Sequence, residues 1–433
     1  GTRYSAWKRP KSPCFARVLA AAAPLAKSAY MSTDTPFHPC YLDHAAATPL
    51  LPEVTESMRR AAAVFANPSS PHAAGRAARS LLENAREEIL SKLGGRVSGP
   101  GRDRLVFTSG ATEANQMAVA GLSGACLGKP RLFHSARDHA GTRSEIASLA
   151  NTSPSVEPQP LQGTGQPAHS RSLTELPLDA HGCLDRDRLS LAGDASSQAV
   201  LSTTWGCSQS GTVDDIADLA SRFPQMLIHT DAVQAVGRLP VDFSALGVAS
   251  LSLAAHKLGG PRGIGGLLLR GDTAIEPLIP GTQERGLRGG TESVTLAVGF
   301  ATAVRLATDR QAAEARRLAG LRDRLEQAVL AAGVEAVVIG GDAPRLPQMS
   351  VIAFPGRDRQ AVVMAADLAG LCLASGTACA SGSSEPSPAL VAAGLPDAWV
   401  QSAVRVSLGW STTDDDIERG IDLLRSVVGF RKP

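Results

Sequence analysis

The chain has 433 residues, 43 Lys+Arg against 41 Asp+Glu, 43% apolar residues and only 4% aromatic ones. That length encloses a core without disulfides or metal staples, and the core must be aliphatic. No uninterrupted apolar run of about 18 residues exists, which excludes an obvious membrane helix.

The near-neutral total hides a bias. Residues 1–30 carry Arg3, Lys8, Arg9, Lys11, Arg17 and Lys27 and no acid, leaving 37 basic against 41 acidic side chains and a net charge of −4 for residues 31–433. That body is a poor nucleic-acid surface. The first 30 residues read as a basic leader, either transit-like or lying upstream of a natural start at Met31. Seven scattered cysteines without a CxxC pair argue against a disulfide framework or a four-thiolate zinc site, so a reducing, cytoplasmic setting fits, with a mitochondrial one as the alternative if residues 1–30 are a transit peptide. The nine histidines form no HExxH or HxH cluster, so no metal is expected.

In chain order, Ala77–Leu93 reads as an amphipathic helix, Arg104–Phe107 as a strand and Ala114–Leu122 as a helix. Residues Asn151–Glu175, with four prolines, read as a loop insertion. Short apolar runs at Ala199–Thr203, Gln225–His229, Ala249–Leu253 and Ile264–Leu269 imply βα repetition and a mostly parallel sheet. A helical pattern over Thr308–Ala332 precedes strands at Val351–Phe354 and Ala403–Leu408 and a closing helix over Asp414–Val428. The expectation is an α/β chain: a large domain over 46–295, and a smaller α+β domain from 31–45 and 296–433.

Five segments could carry chemistry. Phe107–Asn115 turns from strand to helix through small and hydroxyl residues, which suits a phosphate at a helix N-terminus; a capping box ending on Glu113 explains the same nine residues and is the nearer reading of them alone. Asp231 ends a strand-like run, where parallel sheets keep ligand chemistry, and equally suits a helix cap. Lys257, after Ser252-Leu253-Ala254-Ala255-His256 and before a glycine-rich turn, sits where a Schiff-base lysine would be kept; a solvated loop lysine is the bland alternative. The glycines that follow lead into a strand rather than a helix, so they are not a dinucleotide fingerprint. Cys379 stands among small residues with nothing bulky to bury it, unlike Cys372 between two leucines. Arg405 lies inside a strand-like alternation, where it either grips a carboxylate or faces solvent on an edge.

With Tyr41-Leu42-Asp43-His44-Ala45-Ala46-Ala47-Thr48-Pro49, Asn67-Pro68-Ser69-Ser70-Pro71-His72 and Glu284-Arg285-Gly286-Leu287-Arg288-Gly289-Gly290-Thr291-Glu292, these segments resemble the class V, fold-type I pyridoxal phosphate enzymes, specifically the cysteine desulfurase and selenocysteine lyase family. The order and spacing over nearly 400 residues carry the resemblance. It implies pyridoxal 5'-phosphate held by Lys257, with Asp231 on the pyridine nitrogen, Gln234 and Ser208 toward the ring hydroxyl, and His139 stacked on the ring. Ala111, Thr112 and His256 match phosphate ligands, and Thr291 matches a residue reaching the other subunit's cofactor, hence a homodimer. Arg405 looks like the clamp on the substrate carboxylate, and Cys379 like the nucleophile that receives sulfur from L-cysteine as a persulfide. The implied partners are L-cysteine, or selenocysteine in a lyase, and a sulfur acceptor or iron–sulfur scaffold protein. Two departures stand out: Ser208 replaces the usual Asn, and Ala254 replaces a usual Ser. They motivate a second expectation, a catalytically weak sulfur-relay scaffold.

Overall fold

The computed structural model describes residues 39–128, 130–151, 172–189, 198–271, 273–376 and 385–429. The leader, Met31, Cys379 and most of the expected insertion lie outside them. Among the described residues no helix is long and apolar enough to cross a membrane, and no group of three His, Cys, Asp or Glu side chains is placed to hold a metal ion.

After β1 (Cys40–Tyr41), helix α1 (Pro52–Ala61) opens on a proline, which suits a first helical turn where no amide partner is needed, and α2 (Ala73–Lys92) opens with the His72 side chain accepting from Gly75 N. The central sheet follows: β2 (Arg104–Thr108), β3 (Arg131–Ser135), β4 (Leu173–Leu176), β5 (Ala199–Thr204), β6 (Leu227–Asp231), β7 (Ser250–Ala254) and β8 (Gly265–Leu269). Their order is β2-β8-β7-β6-β5-β3-β4, with β8 antiparallel to both neighbours and the β7-β6-β5-β3-β4 pairs parallel. The expected strands are present, though β6 starts two residues later than the apolar run suggested. Leu173–Glu175, assigned to a loop from its composition, belongs to the edge strand β4: pairing with β3 overrides the poor local propensity.

Between the strands lie α3 (Ala111–Gly124), α4 (Ala140–Asn151), α5 (Ile216–Arg222) and α6 (Phe243–Leu246). Then come α7 (Val294–Asp309) and α8 (Gln311–Leu330). The remainder comprises β9 (Val337–Val338), β10 (Met349–Ala353), α9 (Arg359–Leu368), β11 (Leu371–Cys372), α10 (Pro388–Ala392), α11 (Asp397–Ser402), β12 (Ala403–Ser407) and α12 (Asp414–Val428). A second, antiparallel sheet runs β12-β10-β9, and β1 pairs with β11. Helix α12 has the expected bounds because Thr413 and Asp416 form a reciprocal capping box.

Two large apolar cores dominate among the described residues. The first includes Leu82, Leu105, Leu251, Leu253, Phe300 and Val304; the second includes Cys40, Leu42, Leu318, Ile352, Val404 and Leu424. Burying each such leucine contributes about 2 kcal/mol. Because α7 places Val294, Phe300 and Leu306 in the first core, the chain changes core between Leu306 and Leu318 rather than at 296. The helix expected over Thr308–Ala332 is α8, Gln311–Leu330; only the first two of those positions, Thr308 and Asp309, belong instead to the end of α7. At the other end, Leu42 lies in the second core and Leu51 in the first, so residues 43–50 pass between them.

Candidate active site

Strand β7 reads Ser-Leu-Ser-Leu, and the two-residue period of a strand sends these side chains to opposite faces. Leu251 and Leu253 join the first core, while Ser250 and Ser252 meet polar partners. Register pairs His229 with Ser250 and Asp231 with Ser252. His229 Nδ1 lies 2.9 Å from Ser250 Oγ, and His229 Nε2 lies 3.0 Å from Asn115 Oδ1, which also accepts from Ser252 Oγ. Asn115, inside α3, then donates from Nδ2 to Asp231 Oδ2 at 2.7 Å. The other Asp231 oxygen accepts from Val233 N at 3.0 Å. Complete burial lowers the His229 pKa to about 3, so its ring is neutral and both nitrogens serve the network. Asp231 is thereby a buried carboxylate with a fixed orientation at the carboxyl end of a parallel strand.

Lys257 closes a single helical turn, Ala255–Lys257, directly after β7. Its Nζ donates to Ala45 O at 2.6 Å and Ala46 O at 2.8 Å, and Gln234 Nε2 donates to Ala45 O at 3.0 Å. Thr48 N donates to His256 O. Burial, then the charges of Lys257 and Arg262, lower the His256 pKa to about 4, so this histidine is neutral at pH 7. A small cleft beside Lys257, with a cavity volume of about 10 Å³, is lined by His44, Gln234, Arg238 and Gln348.

At the start of α3 the N-cap is Gly110, with no side-chain cap bond. Glu113 accepts instead from Ser109 N at 2.7 Å and pairs with Arg288 at 2.8 Å, so the capping-box reading is met only in part: the glutamate reaches the residue before the cap. The first-turn acid Glu113 is thus turned toward Ser109 and Arg288, and at the same positive end Ala111 is half-exposed and Thr112 exposed. Gly265 makes the close fit: a Cβ on it would lie 2.6 Å from Gly110 C. His139 precedes α4, and its Nδ1 accepts from Gly141 N at 3.2 Å. A Cβ on Gly141 would meet Thr112 Cγ2 at 2.9 Å and His139 Nδ1 at 3.3 Å, so Thr112 and His139 border one spot.

On the opposite side Arg405, 1% exposed in β12, donates from NH2 to Asp43 Oδ1 at 2.9 Å and from NH1 to Ser208 O at 3.1 Å. It is not an edge-strand arginine facing solvent. Ser208 is half-buried and Ala254 fully buried. Thr291 is exposed, on a stretch tied to α3 through Arg288–Glu113. That stretch is anchored by a buried bidentate pair, Arg86 with Glu284 at 2.6 and 3.0 Å, which holds the left-handed residues Glu284 and Arg285. Cys379 lies outside the described residues.

The donor set fits pyridoxal 5'-phosphate: a primary amine, a buried carboxylate with fixed hydrogen bonds, and an uncapped helix N-terminus with neutral His256 among the expected phosphate ligands. Asn115 and Asp43 also belong to the site, through Asp231 and Arg405 respectively. A polar residue on an otherwise buried helix face was the signal for Asn115.

The class-V aminotransferase family model matches residues 40–419. An IscS-like cysteine desulfurase of Mycobacterium tuberculosis is 36% identical over 398 residues, covering 90% of this chain and 96% of that protein. A cysteine desulfurase of Cereibacter sphaeroides is also 36% identical, covering 90% and 95%. Among solved structures, a NifS-like protein from Rickettsia africae superposes with a TM-score of 0.78 at 28% identity, covering 90% of this chain and 99% of that one. SspA in complex with cysteine gives 0.68 at 28%, covering 85% and 98%. Fold and site therefore define a fold-type I pyridoxal phosphate enzyme. The chain belongs to the class-V aminotransferase family and, within it, to the cysteine desulfurases.

Proposed function

We propose that the protein is a cysteine desulfurase using pyridoxal 5'-phosphate on Lys257, converting L-cysteine to L-alanine and passing sulfur to Cys379. The observation that carries this reading is the convergence on residues 43–48 of Lys257, Gln234 and Arg405, beside a carboxylate, Asp231, oriented by Asn115. Asp231 and Gln234 would face the ring, His139 would stack on it, Ser208 would approach its hydroxyl, and Ala111, Thr112 and His256 would hold the phosphate. Bound pyridoxal phosphate supplies an electron sink, which eases loss of the substrate's α-proton and weakens its bond to sulfur.

Arg405 binds and orients the substrate carboxylate through charge-assisted hydrogen bonds. The Lys257 amine would take the α-proton and later return it to that carbon, and His139 would assist proton transfer. The Cys379 thiolate attacks the substrate sulfur: an S–S bond forms, the C–S bond breaks, and its electron pair stays on the β-carbon. That carbon takes a proton to become the methyl group of alanine, leaving a persulfide on Cys379 for an acceptor protein. A second copy of the chain would contribute Thr291, and the mildly acidic body suits a cytoplasmic enzyme.

The test is direct. Purified holoenzyme is expected to be yellow and to release alanine and sulfur from L-cysteine. Lys257→Ala should be colourless and inactive, and Cys379→Ala should stop sulfur release with the colour retained. A colourless wild type would instead favour the scaffold, sulfur release surviving Cys379→Ala would sink the persulfide step, and faster turnover of selenocysteine would favour a lyase.

A further inference from the structure

Arg405 does not meet a substrate with an empty fork. NH2 is engaged by Asp43 Oδ1 and NH1 by the Ser208 carbonyl, while Nε, fully buried, has no partner among the described residues. The Arg405 side chain is 2% exposed and that of Asp43 20%, so the carboxylate stands between the guanidinium and solvent. Asp43 is held there by main chain. Ala46 N donates to Asp43 O at 3.1 Å, His44 N to Ser407 O at 3.2 Å, and Ala45 N to Ser407 Oγ at 2.8 Å, two residues along the strand from Arg405. Ala374 exchanges two backbone hydrogen bonds with Arg405, at 2.6 and 3.1 Å. The ion pair is thus built into the same turn whose Ala45 and Ala46 carbonyls receive Lys257.

A substrate carboxylate that approaches Arg405 meets a guanidinium already partly neutralised, with a second anion, Asp43, on its more exposed side. We propose that Asp43 is a specificity-determining residue: a resident carboxylate that shares Arg405 with the amino acid's carboxylate and weakens the grip on it. Alanine carries the same carboxylate as cysteine, so the shared charge also favours product release. This rests on the reading of Arg405 as the carboxylate site.

The experiment compares wild-type holoenzyme with Asp43→Asn, which keeps an oxygen for NH2 and removes the charge. The KM for L-cysteine and the inhibition constant of L-alanine should each fall about 3–10-fold, while the KM for L-cysteinamide, which lacks the carboxylate, stays within about 2-fold. Asp43→Glu should return both values toward wild type, and calorimetric titration of alanine into the holoenzyme should show the same shift without turnover. A rise in both constants, or equal changes for cysteine and cysteinamide, overturns the proposal, since Asp43 would then only shape Arg405. If Asp43→Asn does not fold, wild type decides: a preference for cysteine over cysteinamide below about 30-fold in kcat/KM supports a shared guanidinium, and a larger one overturns it. Arg405→Gln separates the layers. A cysteine KM unmoved by that variant removes the underlying reading. A raised KM there, with no fall in Asp43→Asn, removes this inference alone.

Discussion

Asp231 and Arg405 are both charged and both more than nine-tenths buried, yet their surroundings differ in kind. Around Asp231 the partners are neutral: Asn115, His229, Ser250 and Ser252 form a continuous hydrogen-bonded set spanning α3, β6 and β7. Around Arg405 the main partner is another charge, Asp43, and Nε has no partner among the described residues. A neutral network fixes one geometry for the Asp231 carboxylate, which under the proposed function would face the ring nitrogen of the cofactor. A shared ion pair leaves room for exchange. On the proposed function, the side that would hold the cofactor is built for permanence and the side that would hold the substrate for exchange.

Breaking the first side should have the largest effect. Asn115→Ala strands Asp231, His229 and Ser252 at once, and three lost hydrogen bonds at about 1 kcal/mol each predict a loss of about 3 kcal/mol, read by denaturant unfolding. The cofactor should also dissociate faster, followed by loss of its visible absorbance. Unchanged retention would show that Asp231 does not need its network.

Next comes Asp138, fully buried beside His139. Burial raises its pKa to about 8, and its Oδ1 has no partner among the described residues. A carboxyl whose folded pKa exceeds the unfolded one binds its proton more tightly when folded, so stability falls as pH rises from about 4 to 8. Asp138→Asn should remove that slope, seen as a smaller drop in Tm across the window. The histidines act in the opposite sense: His44 and His256, both lowered to about 4 chiefly by burial, withdraw stability as pH falls from about 6.5 toward 4. That acid limb should persist in Asp138→Asn.

The smallest effect sharpens the substrate side. Ser208→Asn restores an amide toward the ring hydroxyl, and one added hydrogen bond of about 0.5–1.5 kcal/mol predicts a 2–10-fold gain in cofactor retention or KM for cysteine. No gain would mean that the half-buried Ser208 already satisfies that contact.

Much of this site was legible beforehand for a physical reason. Asp231 and Lys257 follow strand-like apolar runs, and a charge at such a point has few roles in a parallel sheet. Asn115 was less legible because a helix-interior amide carries no sign of its partner, which arrives from β6 more than a hundred residues later. Asp43 was hidden likewise: its counter-ion lies 362 positions away. Helix boundaries misled where packing decided them, as at the α7–α8 break. The edge strand β4 was masked by flanking prolines and serines that sheet pairing overrides. The chemistry of single residues could be read locally, whereas the company they keep depended on the fold.

The turn from Asp43 to Ala46 has one more consequence, for which changes the protein tolerates. Lys257 and Gln234 are recognised there by peptide carbonyls, which no substitution at Ala45 or Ala46 removes. At Ala45, 4% exposed, only volume is constrained. Loss or gain of one residue between Leu42 and Leu51 is another matter. It would shift every carbonyl and the Asp43 carboxylate out of register together, since the two ends are fixed in separate cores. Variation in this stretch should therefore take the form of replaced side chains at constant length.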